Sequence, residues 1–591
     1  MEYGYYYNLA SPSRLVIAII SLYNMHESST LKTEIIRRLG KVDKIDVLLV
    51  LPPMYQSGRI PDYNPKEPMG LMYVGAMLRR EGCSVEILDA DILALTLEQT
   101  ERKIIERGAS VVGFSVMQRA LPSVKLLAER IRIDGMTSHI CCGGFTATLS
   151  AKHVLEEMPT IDSIVLGDGE IAFLRLVQAV KNDMDWKRLP GIAFRRNGQV
   201  EMGQQATKVD IDSLPWPIRD LLSLCLEKTN YATILTSRGC YGTCTFCSNQ
   251  SFERVTSGSS WRGRNPVDVV DEICDLMNGY GVRVFKLNDP NLFGPGPRGR
   301  QHVVDICEEI VRRGINDLHL MGFCRSNDID REIAHLMRRA GFERLLIGIE
   351  SANPEVLRLF RKGESLRTIR QSIRILREVG IDIVPGFMIF NPYTTLETLG
   401  IDIDFLETYG FMPTLAKAMR IFDCTPIQEI MASENRLIRR NPFEGYHEYL
   451  VDPTVAAVYM ALKTISVEWI DLFRKTYQEE IWGIKKAPAF NQRMDFYAMS
   501  KSIFLLEKET LKVLISWVRS GFNHQDVVKQ VARIKDQLTG IERFIISAGG
   551  LSQPMLDIQE SSVSDLADRI YSILTSRMFC TFPEQYRWRD D

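Results

Sequence analysis

Three thiols fall within eight residues of one another: Cys240, Cys244 and Cys247 stand in a segment, 236–249, that is rich in glycine, serine and threonine. Thiolates are soft ligands that select zinc or iron–sulfur clusters. A structural zinc site closes with four ligands, and neither a fourth cysteine nor a histidine lies nearby in the sequence. Three thiolates on a four-iron cluster would leave one iron open to an outside ligand. The alternatives are a zinc loop completed from a distant part of the chain, or three ordinary buried cysteines. The other nine cysteines lie in strand-like or helix-like patterns without ligand spacing, which suits a reducing cytoplasm better than an oxidised, secreted protein.

A ligand loop needs elements that hold it, and this one follows an apolar run, Thr233–Ser237. Five further runs repeat downstream at Val282–Asn288, Leu318–Arg325, Arg344–Glu350, Asp382–Ile389 and Ala416–Phe422, separated by amphipathic stretches. Six strand–helix units predict a partial (β/α)6 barrel over residues 231–430 rather than a closed barrel of eight.

A second alternation precedes it. The runs Ile45–Leu51, Val85–Leu88, Val111–Val116, His139–Cys142 and Ser163–Leu166 read as buried parallel strands, with helices at Gly70–Glu81, Leu97–Arg107 and Leu121–Arg132 between them. Residues 45–182 are therefore expected to form a doubly wound, Rossmann-like α/β domain that binds ligands at the carboxyl ends of its strands. Turn and glycine signals sit at those ends: Pro52–Pro53, Gly113–Val116, Gly143–Phe145 and Gly167–Glu170. Glycine lets a backbone approach a bulky ligand. Because no Gly-x-Gly-x-x-Gly follows the first strand, a nicotinamide cofactor is not expected.

Residues 1–44 form an extension whose apolar run, Leu15–Leu22, reads as a strand and is too short to span a bilayer. Pro190, Pro215 and Pro217 break up a connecting segment over 183–230, and after residue 430 long helical patterns (Val455–Phe473, Tyr497–Val518, His524–Ile546) predict a helical domain capping the barrel mouth. Among 591 residues, 72 Lys and Arg stand against 74 Asp and Glu, so no global basic field points to nucleic acid.

The spacing Cys240-x3-Cys244-x2-Cys247, with Phe246 before the last cysteine, resembles the hallmark of the radical S-adenosylmethionine (SAM) superfamily. That resemblance implies a 4Fe-4S cluster whose open iron binds the amino and carboxylate groups of SAM, and an electron donor such as flavodoxin or ferredoxin. It further implies that Phe246 contacts the adenine, that Asn288 and Asp289 face the methionyl end, and that Arg325 and Glu350 reach the carboxylate or ribose. A plain strand-end ion pair is the alternative for the last two. The stretch Ile347–Ser351, after Ala340–Gly341, is similar to the fourth-strand signature of the subfamily that includes cobalamin-dependent members. Where the superfamily often carries Gly-x-Pro-Gly-Glu-Thr, this chain reads Phe390-Asn391-Pro392-Tyr393-Thr394-Thr395, which leaves the substrate side undefined.

The order of the glycine signals, with Glu67–Leu71 opening the first helix, is similar to the cobalamin-binding domains that precede such barrels. Ser115, Val116, Met117 and Gln118 would then face the cobalt, with Gly143, Gly144, Phe145, Gly167, Asp168, Gly169 and Glu170 around the corrin. The chain has no Asp-x-His-x-x-Gly, and of His139 and His153 the first opens a strand, so a weak or absent lower ligand is implied. The resemblance implies radical methyl transfer to an unactivated carbon of a metabolite or natural-product precursor. Its alternatives are a cobalamin-dependent radical oxidoreductase or cyclase and, more remotely, a non-catalytic cobalamin-binding protein. A small-molecule, carrier-bound or peptide substrate is equally compatible with the composition. Tyr446, His447, Tyr449 and Trp469 could line a pocket, but aromatic residues at helical spacing are more often core.

Overall fold

The computed structural model describes residues 45–53, 67–117, 120–413, 415–440, 446–466, 490–547 and 560–578. The expected strand Leu15–Leu22, Gln118, Trp469 and the part of Val455–Phe473 beyond Ser466 lie outside these residues.

Val47–Leu51 (β1) is the sequence Val-Leu-Leu-Val-Leu with every side chain buried, a run that only a strand covered on both faces accommodates. It pairs in parallel with Val85–Asp89 (β2) on one side and Val111–Ser115 (β3) on the other. His139–Gly143 (β4) and Ser163–Val165 (β5) extend the parallel array, giving the order β2-β1-β3-β4-β5. Helices Met69–Arg80 and Gly169–Lys181 cover one face and Leu97–Arg107 and Leu121–Ile133 the other, each with its own apolar core. The winding direction reverses between β1 and β3, and the helices diverge there to leave a crevice at the carboxyl ends of the strands.

The proline-broken segment is more ordered than its sequence pattern implies. Ile192–Arg196 (β6) and Gln199–Met202 (β7) add two antiparallel strands to β5, so the sheet runs to seven strands. A tight turn at Asn197 and Gly198, both at positive φ, makes this hairpin.

In the second α/β unit, Ala232–Ile234 (β8), Val284–Leu287 (β11), His319–Cys324 (β12), Phe342–Glu350 (β13) and Asp382–Phe387 (β14) form one parallel sheet in chain order. Ser237–Gly239 (β9) leaves β8 and pairs antiparallel with Trp261–Gly263 (β10). The expected sixth strand corrects the reading of six equal units: it meets the sheet at a single bridge between Phe390 and Ala418. Beyond it, Ile421–Phe422 (β15) joins Tyr446–Tyr449 (β17) and Leu437–Arg440 (β16) in a small antiparallel sheet. The cause is burial: Met419 and Ile421 pack with Ile427, Met431, Tyr449 and Val451, and not on the parallel sheet.

The described helices of the C-terminal region pack beside the last barrel helix. Helices Pro453–Ile465, Phe490–Ser520, His524–Ser547 and Glu560–Met578 share a core with Leu399, Ile403 and Leu406 of the last barrel helix, Leu396–Thr408. They seal the open side of the partial barrel, where Phe390 stacks edge-on against Tyr459 at 4.9 Å and buried Glu507 accepts from the backbone of Leu415 at 3.2 Å.

A buried ion network joins the two α/β units. Arg219 gives one guanidinium nitrogen to Glu67 and another to Glu272, each at 2.7 Å, and Arg264 holds the other oxygen of Glu272 at 2.6 Å. Glu67 also accepts from the backbone of Thr233 at 2.7 Å. Charges this buried are tolerated only while paired. Arg219→Met leaves Glu67 buried without a cation and Glu272 with Arg264 alone, and we expect a loss of about 3–5 kcal/mol, read as a lower midpoint in chemical unfolding; an unchanged midpoint would place the network at the periphery.

Candidate active site

The cysteine loop starts where β9 ends. Gly239 has φ +84°, and a Cβ there would lie on the carbonyl of Ser260, just before β10, so no other residue lets the two strands pair while the chain turns toward Cys240. The loop is then tied down from below: Thr245 donates its backbone N–H to the Phe360 carbonyl at 2.9 Å, and Ile427 donates to Thr245 at 3.0 Å. Gln250, on the helix Ser248–Val255 that follows, donates to the Cys240 carbonyl at 2.8 Å.

Burial pushes the Cys247 thiol up to about 11 and raises Cys240 as well. Thiolates at such sites require compensating positive charge, which iron supplies. Among the described residues, no three His, Cys, Asp or Glu side chains converge as one metal ion demands. A cubane places its irons at separate corners, so three thiolates ligating it need not converge. Three soft thiolate donors on one short loop fit a 4Fe-4S cluster.

Beside the thiols lies a buried charged cluster that is richer than the ion pair expected of Arg325 and Glu350. Arg325 donates to Cys244 Sγ at 3.6 Å and to the Lys362 carbonyl, and its cation lies over the Tyr241 ring at 5.3 Å. Its Nε faces Glu364 at 3.2 Å, without the alignment of a hydrogen bond, so both Glu364 oxygens remain unpartnered though buried. Glu350 reaches Lys362 at 3.4 Å, across a gap that a side chain at Gly348 would fill. Glu350 itself sits at φ +68°, a conformation that costs a non-glycine residue energy. Asp402 holds the following turn by accepting from Ser351 Oγ at 3.0 Å and Ala352 N–H at 2.7 Å. Unsatisfied carboxylate oxygens beside two cations fit a ligand that brings both an amine and a carboxylate.

Phe246 stands edge-on to Phe360 at 5.0 Å, and Met388 and Tyr393 pack against the same buried cluster, an apolar surface suited to a flat base. Asp289 is placed differently from its expectation. Fully buried, its carboxylate accepts from the backbone N–H groups of Thr236 and Ser237 and from both hydroxyls, and burial pushes it up to about 6. It shapes the loop instead of facing a ligand. Asn288 lines the crevice of the first unit.

That crevice is a cavity of about 340 Å³ bounded by Ser115, Gly143, Gly144, Phe145, Gly167 and Gly169 from below. Phe145 stacks on Phe252 of the helix after Cys247, at 4.8 Å. Val116 is buried beside it and Met117 is exposed, and neither lines the wall. Asp168 and Glu170 line it, but their carboxylates are engaged: Arg238 binds Glu170 at 2.6 Å and Asp168 at 3.2 Å, and Arg262 binds Asp168 at 2.6 Å. They clamp the units together. No histidine is among the lining residues; His139 donates to or accepts from Ser163 Oγ at 2.8 Å inside the sheet. The upper wall is Leu235, Ser237, Arg238 and Gly239, the residues that run into Cys240. His447 bonds Asp423 at 2.7 Å and Tyr449 bonds the Met419 carbonyl at 3.0 Å, so both serve the small sheet.

Sequence reasoning missed Tyr241, Lys362, Glu364, Arg238 and Arg262. The signal for two of them was the Arg361-Lys362-Gly363-Glu364 tetrad after the fourth strand, since charges around a glycine at a strand end are rarely idle.

The first unit matches the B12 binding domain over residues 63–177, and the second matches the Radical SAM superfamily over residues 234–406. The chain is a cobalamin-binding radical SAM enzyme. Its cofactors are accordingly a 4Fe-4S cluster, SAM and cobalamin. An anaerobic magnesium-protoporphyrin IX monomethyl ester cyclase of Synechocystis is 29% identical over 76% of this chain and 90% of its own length. Cytidylyl-2-hydroxyethylphosphonate methyltransferase of Streptomyces wedmorensis is 25% identical over 67% of this chain and 81% of its own. The fold is that of the cobalamin-dependent SAM radical enzyme OxsB, solved with aqua-cobalamin bound: the TM-score is 0.69 at 18% identity, covering 94% of this chain and 89% of that one.

A Cβ at Gly143 would meet only Val165, at 4.0 Å, so a larger side chain there enters the cavity without disturbing the sheet. Gly143→Phe is expected to lose cobalamin on reconstitution, by absorbance, while retaining its iron content. Full cobalamin occupancy in that variant would contradict the assignment of the cavity.

Proposed function

We propose that the protein is a radical C-methyltransferase that delivers a methyl group to an unactivated carbon of a metabolite or natural-product precursor. The observation that carries this is the shared wall: Ser237–Gly239 line the cobalamin cavity and lead directly into the first cysteine of the cluster loop. When bound, the cluster and SAM supply a carbon-centred radical and cobalamin supplies the methyl group. The chain's own residues arrange the encounter. Cys240, Cys244 and Cys247 would hold the cluster, and Arg325, Lys362, Glu350 and Glu364 the charged end of SAM. Phe246 would stand against its adenine. Arg238 and Arg262 keep the two compartments in register through Asp168 and Glu170, and the apolar lining of Leu49, Leu71 and Phe173 keeps water from a reactive intermediate.

A second reading is a radical cyclase or oxidoreductase that transfers no methyl, favoured by the identity to the Synechocystis cyclase. An electron donor such as flavodoxin or ferredoxin is required by either. No described helix is long and apolar enough to cross a membrane and the eleven described cysteines are free, which supports a cytoplasmic setting.

Anaerobic turnover with cobalamin, reductant and methyl-labelled SAM against a panel of candidate substrates decides between the two. Methyl transfer yields S-adenosylhomocysteine together with 5'-deoxyadenosine and a labelled product. 5'-Deoxyadenosine without S-adenosylhomocysteine would replace this reading with the cyclase.

A further inference from the structure

The strand-to-helix segment that braces the cysteine loop carries an unpaired basic face. Residues 355–378 hold seven Arg and Lys against three Glu, in a chain whose net charge is −2. Two of the seven have evident structural duties: Lys362 is buried with Glu350, and Arg358 is paired with Glu355 at 2.5 Å. Arg377 donates to the Tyr409 carbonyl. That leaves Arg361, Arg367, Arg370 and Arg374, all exposed. Among the described residues none of these four makes an ion pair, although the surface around them is rich in such pairs.

Their pattern follows from the helix. Leu366–Val379 buries Ile369, Ile373 and Leu376 against the sheet, and Arg367, Arg370 and Arg374 follow one another at three- and four-residue spacing on the opposite face. Arg361 precedes the helix at φ +49°, which turns the chain sharply beside the cysteine loop.

The position of this face is what gives it meaning. Phe360 and Leu359 accept from Thr245 of the cysteine loop, at 2.9 and 3.3 Å. The Lys362 carbonyl accepts from Arg325, which also touches Cys244. Asn327 donates to the Gly363 carbonyl at 2.7 Å. Arg361 is thus set in a segment bonded on both sides to the cluster's own supports, and the helix carrying the other three begins five residues later. None of residues 355–378 lines the cobalamin crevice.

We propose that Arg361, Arg367, Arg370 and Arg374 form the docking surface for an acidic one-electron carrier protein of the flavodoxin type. Docked there, the carrier's reduced flavin loses one electron and the oxidised cluster gains it. Four unpaired guanidinium groups speed the approach of an acidic partner and orient it, and a redox encounter needs only a small interface of this kind. The overall acidic balance of the chain leaves this face as a local positive field, which disfavours a nucleic-acid partner needing a larger one. The inference rests on the reading of Cys240, Cys244 and Cys247 as cluster ligands.

The test compares the reconstituted holoenzyme with the triple variant Arg361→Glu, Arg367→Glu, Arg370→Glu. Cluster reduction is followed by stopped-flow absorbance and by the EPR signal of the reduced cluster. One arm uses a recombinant bacterial flavodoxin in its fully reduced form, the other titanium(III) citrate. Flavodoxin should reduce the variant at least about tenfold more slowly at low salt, a gap that closes as ionic strength rises. Titanium citrate should reduce both proteins at the same rate. Equal rates with flavodoxin at low salt would overturn the docking surface. A parallel loss with titanium citrate would also overturn it, by assigning the arginines to the integrity of the cluster site. A wild-type enzyme that yields no EPR signal even with titanium citrate would instead refute the cluster.

Discussion

The arrangement depends on Asp168 and Glu170 of one unit being held by Arg238 and Arg262 of the other. Arg238 is the residue two before the first cluster cysteine, and Asp168 and Glu170 flank the start of the helix that follows β5. The same contact therefore fixes the carboxyl end of the cobalamin-binding sheet and the entry to the cluster loop. Ions this deeply buried contribute little net stability over an apolar contact, because desolvation offsets most of their attraction. What they provide is orientation: an arginine fork accepts its carboxylates in few geometries, and a slip of the units leaves charges unpaired in an apolar interface. Glu67, Arg219 and Glu272 repeat this logic on the far side of the crevice.

A radical must be made and consumed in one enclosed space. The crevice at the strand ends of the first sheet takes its remaining wall from Leu235–Gly239 of the second unit. Buried charge is concentrated around Arg325, Lys362, Glu350 and Glu364, beside the thiols, and Phe246, Phe360 and Tyr393 form an aromatic cluster. The strained turn at Glu350 is held by buried Asp402, whose carboxyl is pushed up to about 7 by burial. Backbone strain of this kind persists only where surrounding contacts over-determine it.

Much of this was legible in the sequence. Local periodicity named nearly every parallel strand, since a buried parallel strand must be continuously apolar, and the cysteine spacing carried the cluster. The failures share a cause. Ala416–Phe422 has the pattern of a sixth strand, but only Ala416 and Ala418 pack on the barrel core; Met419 and Ile421 find burial with Tyr449, Ile427 and Met431, a choice made by distant residues. Asp289 was read as facing a ligand because polar residues at strand ends often do, whereas its carboxylate holds Thr236 and Ser237; Asp168 and Glu170 do line the cavity, and that they also meet Arg238 and Arg262 is a tertiary fact. Arg238, Arg262 and Lys362 were passed over because nothing local distinguishes a buried arginine from a solvated one. The helical region was expected over the barrel mouth; its described helices share a core with the last barrel helix, a choice of apolar surface that local periodicity does not carry.

The proposal stands or falls on cobalamin lying against Ser237–Gly239, the short strand that runs directly into Cys240 of the cluster loop. EPR of the anaerobic holoenzyme, poised with cob(II)alamin and with the cluster reduced, measures this directly. The account predicts that each signal is broadened and relaxes faster than in samples containing only one of the two paramagnets. Spectra that are the plain sum of the two separate signals, with unaltered relaxation, would contradict it.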